Sequence, residues 1–312
     1  MRRRILKILL YTALAFSLIA AALWIYFHPP VKQESTVGYT NRNGTELRYD
    51  VIVPREPNGA AVIVLVSGSW RSDQGPFRRW LVAPILRRGY TVFAVRHLSQ
   101  PKATITEIVE DVHHAVRHIR FHSANFDIDK DSIGIAGSSS GGHLSLMIAA
   151  GAGKAPPTDS DDAIDLESSA VQAAAVFFPV TDLVDLGPST QNPGDGGPPT
   201  SYVAGFGFTP KKGDRKRIAK ADMSEWKELA HALSPIHQLE NGLAPVRIIH
   251  GDADTLVPLD QSLRFLERAK ELQLGNRIDL QIREGKGHGW IAMIFDLPKF
   301  ADWFDEHLAP AS

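Results

Sequence analysis

The sequence predicts an α/β domain in which a mostly parallel sheet is covered by helices on both faces, and two patterns support this. Short, continuously apolar runs such as residues 61–66 and 91–95 are typical of strands buried on both faces. Longer stretches between such runs repeat apolar residues at helical spacing, as at Ile105, Ile108 and Val112. With 312 residues, 44% of them hydrophobic, the chain can bury a core of the size that this fold needs.

Charge balance and cysteine content exclude several classes of protein. Lysine and arginine number 34 against 35 aspartates and glutamates, so the net charge is −1. A chain without a positive field does not hold nucleic acid by counterion release, and we expect no nucleic-acid partner. The absence of cysteine removes disulfides, thiolate metal sites and thiol nucleophiles. Any covalent catalyst must therefore be an oxygen or nitrogen nucleophile.

The amino-terminal residues 1–27 are predicted to be a membrane segment. The arginines at 2–4 precede residues 8–27, a run of 20 residues without charge. At about 1.5 Å per residue such a run spans the hydrocarbon core of a bilayer, which favours a single-pass signal-anchor through residues 5–27. The positive-inside rule then puts the rest of the chain outside the cytoplasm. The alternative is a cleaved signal peptide followed by export, because Ala20 and Ala22 form an A-x-A pattern before Leu23.

Residues 28–36 are predicted to be a linker and residues 37–312 the folded domain, whose elements follow in order. Asn43-Gly44 separates two β-rich runs and predicts a tight hairpin turn. The later strands are predicted at residues 61–66, 91–95, 132–136, 173–178, 246–250 and 278–283. The helices are predicted at residues 76–88, around 105–119, and at 141–150, 260–272 and 291–307. Strands that alternate with helices in this way build a mostly parallel sheet.

Two features do not belong to this alternation. About residues 183–232 form a long segment, first rich in proline and glycine and then basic, which is typical of a lid-like insertion or of solvated variable loops. His114, His118 and His122 repeat every four residues on a predicted helix, opposite its apolar stripe. No carboxylate completes that row, so we interpret it as solvated surface and expect no metal site there.

A G-x-S-x-G sequence at residues 137–141 supplies the first chemical motif. It lies between a predicted strand and a predicted helix, where the sharp turn that exposes a nucleophilic serine must lie. The glycines at 137 and 141 let strand and helix pack closely around Ser139. Ser139 is therefore the predicted nucleophile.

An acid and a base follow in the order that such a serine needs. Asp252 and Asp254 come directly after the strand at 246–250, and we favour Asp254 as the acid that orients a histidine. Asp252 instead fits a role in ending the strand. His288 lies in a glycine-rich loop after the strand at 278–283 and is the predicted base.

With these motifs the chain resembles the α/β-hydrolase superfamily, in particular the esterase/lipase group that includes acetyl-esterase-like and feruloyl-esterase-like proteins and is related to prolyl-oligopeptidase catalytic domains. The resemblance covers about residues 47–308. It also rests on four short segments: Arg96-His97-Leu98-Ser99, Phe126-Asp127-Ile128-Asp129, Gly141-Gly142-His143-Leu144 and Ser234-Pro235.

The resemblance implies an oxyanion hole and a substrate pocket near Ser139. The hole would be formed by the backbone N–H of Ser140 and, opposite it, that of Ser69 or Trp70. At this loop the related families carry His-Gly-Gly before a tryptophan, whereas this chain carries Ser67-Gly68-Ser69-Trp70. Trp70 and Trp290 adjoin catalytic motifs and are predicted to line the pocket, leaving room for short acyl groups.

The residue types predict a serine hydrolase that cleaves small carboxylic esters through an acyl-enzyme, without a cofactor or metal. Two alternatives remain open. One is a serine peptidase of the prolyl-oligopeptidase type. The other is a catalytically silent binding protein on the same fold, which would have no need to retain serine, acid and histidine together.

Overall fold

The computed structural model describes residues 2–100, 102–151, 161–185 and 228–308. Of the predicted insertion at about 183–232, only the two ends lie within these ranges. The prediction that this insertion is lid-like therefore concerns residues that lie almost entirely outside the described part of the chain.

Among the described residues, eight strands form one sheet in the order β1-β2-β4-β3-β5-β6-β7-β8. Strands β1, β2 and β4 pair antiparallel, and all pairs from β4 to β8 are parallel. This confirms the mostly parallel sheet that the sequence predicts. The strands are β1 (Val31–Arg42), β2 (Thr45–Pro54), β3 (Ala61–Leu65), β4 (Thr91–Val95), β5 (Ile133–Ser138), β6 (Ala173–Phe177), β7 (Val246–Gly251) and β8 (Ile278–Arg283).

Helices cover both faces of the sheet. They are α1 (Arg2–Phe27), α2 (Ala83–Arg87), α3 (Ile105–Phe121), α4 (Ser140–Ala150), α5 (Pro235–Gln238), α6 (Asp260–Glu271) and α7 (Leu297–His307). Apolar side chains of α3, α4 and α6 share one core with residues such as Ile63, and those of α2 and α7 share a second core with residues such as Val62. Successive residues of one strand thus enter different cores, as the alternation of a pleated sheet requires.

Helix α1 precedes the sheet and is a candidate membrane span. Residues Lys7–Phe27 are long and apolar enough to cross a bilayer, and none of that window is buried against the rest of the protein. Signal sequences share these properties, so the helix alone does not distinguish an anchor from a leader.

The hairpin turn is confirmed, and the strand before it is longer than predicted. Asn43 and Gly44 have φ angles of 53° and 75°, the positive values that a tight hairpin turn demands. Strand β1 begins at Val31, inside the predicted linker of residues 28–36, because residues from Val31 onward pair with β2 back to Pro54. The start of β1 is polar since it lies on an exposed edge, and this hides its strand character in the sequence.

Two predicted helices are each divided in the structure. The stretch at 76–88 contains the 3₁₀ helix Arg79–Val82 followed by α2, and the stretch at 291–307 contains the 3₁₀ helix Ile291–Phe295 followed by α7. Both α2 and α7 carry a proline in their first turn. Proline lacks a backbone N–H and within a helix fits only in the first turn, so a new helix begins one residue before each proline.

The prediction that His114, His118 and His122 form a solvated row is wrong. His118 is buried, and its Nδ1 lies 3.0 Å from the hydroxyl of Tyr49 on β2. His114 is only partly exposed, and its Nε2 lies 3.2 Å from the carbonyl oxygen of Tyr39 on β1. The long antiparallel hairpin packs over this face of α3 and covers it, which helical periodicity does not foresee.

Candidate active site

Ser139 occupies a sharp turn between β5 and α4. Its backbone has φ 53° and ψ −121°, a strained conformation for a residue with a side chain, and its N–H donates to the Phe177 carbonyl oxygen at 3.0 Å. A Cβ on Gly137 would lie 2.4 Å from the carbonyl group of Gly141, and a Cβ on Gly141 would lie 3.1 Å from the Leu65 carbonyl oxygen. Gly137 therefore lets β5 touch α4 at backbone distance, and Gly141 lets α4 approach the backbone of β3.

A histidine and an aspartate are aligned behind this serine. His288, in the loop after β8, has its Nε2 3.1 Å from Ser139 Oγ and its Nδ1 2.8 Å from Asp254 Oδ2. Asp254 lies in the loop after β7, and its Oδ1 accepts the backbone N–H groups of Leu256 and Val257 at 2.9 Å each. The structure thus brings together Ser139, His288 and Asp254, the three residues predicted from the sequence, in one chain of hydrogen bonds.

The surroundings of Asp254 favour its ionised form. Burial alone would raise the pKa of this carboxyl, but hydrogen bonds from His250, His288 and the Val257 N–H hold its pKa well below the usual range. Asp252, the alternative acid, is exposed and accepts the Gly285 N–H at 2.6 Å. Its carboxylate braces the loop that carries His288 and does not orient the imidazole itself.

The loop after β7, which carries Asp254, and the loop after β8, which carries His288, touch at Gly251. A Cβ on this glycine would lie 2.1 Å from the Lys286 carbonyl oxygen, which also accepts the Ala253 N–H at 2.9 Å. The distance from Asp254 to His288 therefore depends on a backbone contact that leaves no room for a side chain at Gly251.

The loop at residues 67–70 forms a tight turn beside the serine. Ser69 and Trp70 have φ angles of 50° and 54°, and Gly68 and Arg71 exchange two backbone hydrogen bonds of 2.9 and 3.0 Å. Ser140, the third residue predicted for the oxyanion hole, is the first residue of α4, where backbone N–H groups have no partner within the helix.

A buried hydrogen-bond chain ties this loop to the elbow. His97 Nδ1 lies 2.8 Å from the Leu98 carbonyl oxygen, which can only accept, so Nδ1 carries the proton. Nε2 then accepts from Ser67 Oγ at 2.8 Å, and Ser67 Oγ in turn accepts from Ser140 Oγ at 3.1 Å. Complete burial lowers the pKa of His97 to about 4, which keeps the imidazole neutral as this chain requires.

A second chain holds the other end of the loop. The Trp70 indole N–H donates to His143 Nδ1 at 3.1 Å, and His143 Nε2 donates to the Leu233 carbonyl oxygen at 2.7 Å. Burial lowers the pKa of His143 to about 4, so this imidazole is neutral as well. The sequence motifs contain His97 and His143, but no role for either histidine is predicted from the sequence. The only signal in the sequence is their position, His97 just after a buried strand and His143 directly after Gly141-Gly142.

An apolar cavity of about 460 Å³ adjoins the elbow on the side of α2 and α7. Trp290, which is predicted to line the substrate pocket, does line this cavity, and its indole N–H is held by Asp296 Oδ2 at 3.1 Å. Trp70, the other predicted pocket residue, does not line it. Trp70 is 2% exposed, with its indole turned towards His143.

Comparison with known protein sequences gives a family and several relatives. The family BD-FAE matches residues 49–269. Esterase LipQ of Mycobacterium tuberculosis is 26% identical over 208 residues, which is 66% of this chain and 45% of LipQ. Probable carboxylic ester hydrolase LipM of the same organism is 24% identical over 62% of this chain and 40% of its own. The chain thus spans less than half the length of these two relatives.

Comparison with solved structures supports the fold. A truncated carbohydrate esterase from gut microbiota superposes with a TM-score of 0.69 at 24% identity, over 89% of this chain and 99% of its own. The butyrate-bound esterase Est2 of the planctomycete Thermogutta terrifontis gives a TM-score of 0.67 at 23% identity, over 90% and 97%. Likeness of this extent confirms the predicted α/β-hydrolase fold.

We expect Gly251→Ala to destabilise the protein, because the added methyl group meets the Lys286 carbonyl at 2.1 Å and overpacking of this kind costs about 1–3 kcal/mol. Gly287→Ala, on the loop opposite, is the matched control, since the nearest atom to its Cβ would be 3.7 Å away. Urea unfolding of both variants measures the free energy of unfolding. Equal losses in the two would contradict the close contact.

Stability should also decrease as the pH falls from about 6.5 to about 4. His97 and His143 have a pKa of about 4 when folded and about 6.5 when unfolded, so in this window the unfolded chain binds more protons. Each group lowers the free energy of unfolding by up to about 1.4 kcal/mol per pH unit. Above pH 6.5 their contribution is constant.

Urea unfolding at pH 7, 5.5 and 4.5 measures this slope. His143→Gln, which keeps a donor and an acceptor but cannot gain a proton, should reduce the slope. A variant with the same slope as the unaltered chain would show that His143 is not held neutral.

Proposed function

The chain belongs to the BD-FAE family, an esterase/lipase family with the α/β-hydrolase fold, and on this premise we propose that it is a serine hydrolase of carboxylic esters. The observation that carries the proposal is the 3.1 Å separation of His288 Nε2 from Ser139 Oγ, with Asp254 2.8 Å behind the imidazole. The names of LipQ and LipM, an esterase and a probable carboxylic ester hydrolase, agree with it.

In the proposed mechanism His288 accepts the Ser139 proton while the serine oxygen attacks the ester carbonyl carbon. Asp254 keeps the proton of His288 on Nδ1 and stabilises the imidazolium that forms. His288 then gives its proton to the departing alcohol oxygen, which leaves an acyl group on Ser139. A water molecule, deprotonated by His288, attacks this acyl group, and the carboxylic acid and the free serine are released.

The negative charge that develops on the carbonyl oxygen needs hydrogen-bond donors. We assign this role to the Ser140 N–H and to the N–H of Ser69 or Trp70. One such donor is worth about 2.7–4 kcal/mol of transition-state stabilisation, so the position of the loop matters. The buried chains through His97 and His143 hold that loop at both ends, which compensates for the serines that stand where related families carry histidine and glycine.

We further propose that α1 is a single-pass anchor and that the catalytic domain lies outside the cytoplasm. The apolar window Lys7–Phe27 and the arginines at 2–4 support this orientation. The alternative, export after cleavage before Leu23, would leave the same domain in the same compartment without its anchor.

A preference for short acyl groups is part of the proposal, and it depends on one tryptophan instead of the two predicted from the sequence. Of the two tryptophans expected to narrow the site, Trp290 lies beside the elbow, whereas Trp70 is turned away towards His143. The steric argument for a small acyl group therefore depends on Trp290.

We expect Ser139→Ala and His288→Ala each to abolish hydrolysis of nitrophenyl acetate while the protein stays folded, because both residues belong to one proton-transfer unit. Asp254→Asn should lower kcat by about 10⁴-fold through the wrong histidine tautomer. Asp252→Asn is the matched control and should lower it far less. A larger loss in the Asp252 variant would reject the assigned acid, and normal turnover without Ser139 would reject the proposed function.

Acyl preference is measured with nitrophenyl esters from acetyl to decanoyl, for which kcat/KM should be highest at acetyl. A long-chain acyl site would instead gain up to about 0.8 kcal/mol for each methylene removed from water. A steady rise of kcat/KM with acyl length would contradict the preference for short acyl groups. It would not contradict the roles proposed for Ser139, His288 and Asp254.

A further inference from the structure

The apolar cavity, which is lined by Gly137 and Ser138 next to Ser139, opens at a rim of exposed apolar side chains. Leu81 and Ile291 both line the cavity, yet Leu81 is 37% exposed and Ile291 is fully exposed. Phe295, at the end of the 3₁₀ helix that begins with Ile291, is 68% exposed. We call Leu81, Ile291 and Phe295 the apolar rim. Large apolar side chains that cluster in water at the mouth of an apolar cavity mark a surface that something covers.

The end of α1 lies next to this rim. The 3₁₀ helix that carries Leu81, Arg79–Val82, packs against α1, as does α2. From α2, Arg87 donates to the carbonyl oxygens of Ile25 and Tyr26 at 3.2 and 3.0 Å. Its guanidinium also lies 5.0 Å from the centre of the Tyr26 ring. These carbonyls belong to the last turn of α1, where no helical partner remains, so Arg87 fastens the end of the helix to the hydrolase.

The connection between α1 and the sheet is too short to let the domain move away from a bilayer. Helix α1 ends at Phe27 and strand β1 begins at Val31. Residues 28–30 lie between them, and the four Cα–Cα steps from Phe27 to Val31 reach at most about 14 Å when fully extended. If α1 spans a membrane, the surface around the apolar rim must therefore lie at the level where the helix leaves the hydrocarbon.

We propose that the apolar rim rests in the membrane interface beside α1 and that the cavity behind it receives the hydrocarbon chain of an ester dissolved in the bilayer. Continuity with α1 identifies the bilayer as the partner, since the rim adjoins the one helix of the described residues that is apolar enough to span it. The ester part rests on the proposed function. Because that function has a short acyl group, the chain in the cavity is that of the alcohol.

This arrangement gives a lipophilic ester a path that avoids water. Apart from Ser67 and Ser138 near the elbow, the cavity is lined almost wholly by apolar side chains, among them Ile85, Phe177, Trp290 and Leu297. A chain that moves from lipid into such a lining passes between two environments of similar polarity. The ester group, which is more polar, would then reach Ser139 at the inner end.

The position of the rim can be measured without catalysis. The chain has no cysteine, so single cysteines carry a fluorescent label to one chosen site. We would place a polarity-sensitive fluorophore at Ile291→Cys or Phe295→Cys in full-length Ser139→Ala protein, reconstituted in phosphatidylcholine–phosphatidylglycerol vesicles. Phe121→Cys and Leu263→Cys are matched controls, because these apolar residues are 43% and 40% exposed on helices α3 and α6 of the opposite face.

At the rim sites we expect blue-shifted emission that is quenched by lipids bearing a nitroxide on the acyl chain. The control sites should emit as in water and be quenched by iodide in solution. Rim sites that behave like the controls would overturn the proposal. So would blue-shifted emission that lipid nitroxides do not quench, which would indicate cover by protein. A mature chain that begins at Leu23 in intact-mass measurement would overturn it as well.

The chain-binding part is tested with two ester series. For alkyl acetates from ethyl to octyl, below their solubility limits, kcat/KM should rise by up to about fourfold for each methylene. Nitrophenyl esters of lengthening acids should show no such rise. Met293→Trp, which fills the cavity from its wall, should reduce the octyl-to-ethyl ratio towards one, whereas Phe121→Trp on the opposite face should leave that ratio unchanged.

The outcomes separate this inference from the function on which it rests. A rise in the acyl series alone would overturn the assignment of the cavity to the alcohol. A flat alkyl series with active enzyme would overturn the chain site and leave the esterase intact. Lack of hydrolysis of every ester would reject the proposed function, whereas the fluorescence of the labelled rim would still decide the membrane contact.

Discussion

The contact between Gly137 and Gly141 is the constraint on which the site depends. Because Gly137 has no Cβ, β5 and α4 approach to backbone distance, and the turn between them holds Ser139 at φ 53°. Because Gly141 has no Cβ, α4 also approaches the Leu65 carbonyl oxygen of β3. The turn at Ser139 places the serine at the carboxyl edge of the parallel strands, where the loops after β7 and β8 also begin. The parallel sheet thus brings together three side chains that lie far apart in the sequence. Strain at one residue is sustained by the packing of the whole sheet around it.

Two buried, neutral histidines hold the loop at residues 67–70, which lies beside this strained turn. His97 and His143 each use one ring nitrogen as donor and the other as acceptor, so that two polar groups are satisfied inside the core. Each joins the loop at 67–70 to a different part of the fold. Fully satisfied networks of this kind fix geometry, whereas a charged imidazole in the same place would lack a counter-ion. The loop is therefore hydrogen-bonded at both ends, through Ser67 and through Trp70.

The two faces of the sheet differ in how completely they are filled. Helices α3, α4 and α6 close one side into a continuous core, and the other side, under α2 and α7, keeps an apolar cavity that reaches the elbow. The amino-terminal helix is fastened to this second side through Arg87. Helix α1, the cavity and the elbow consequently lie on the same side of the sheet, and only residues 28–30 connect α1 to β1.

The sequence by itself determined the alternation of strands and helices, the hairpin at Asn43-Gly44, the turn at Ser139 and the order of Ser139, Asp254 and His288, each after the end of a strand. These features are encoded locally, by apolar periodicity and by glycines at turns. Only the tertiary structure decided that His288 faces Asp254 and not Asp252, that Trp70 turns towards His143, and that the hairpin buries His118. Periodicity reports that one face of an element is buried but not which distant segment covers it. Trp70 and His143 are 73 residues apart in the chain, and contacts at that separation arise only when the sheet is assembled.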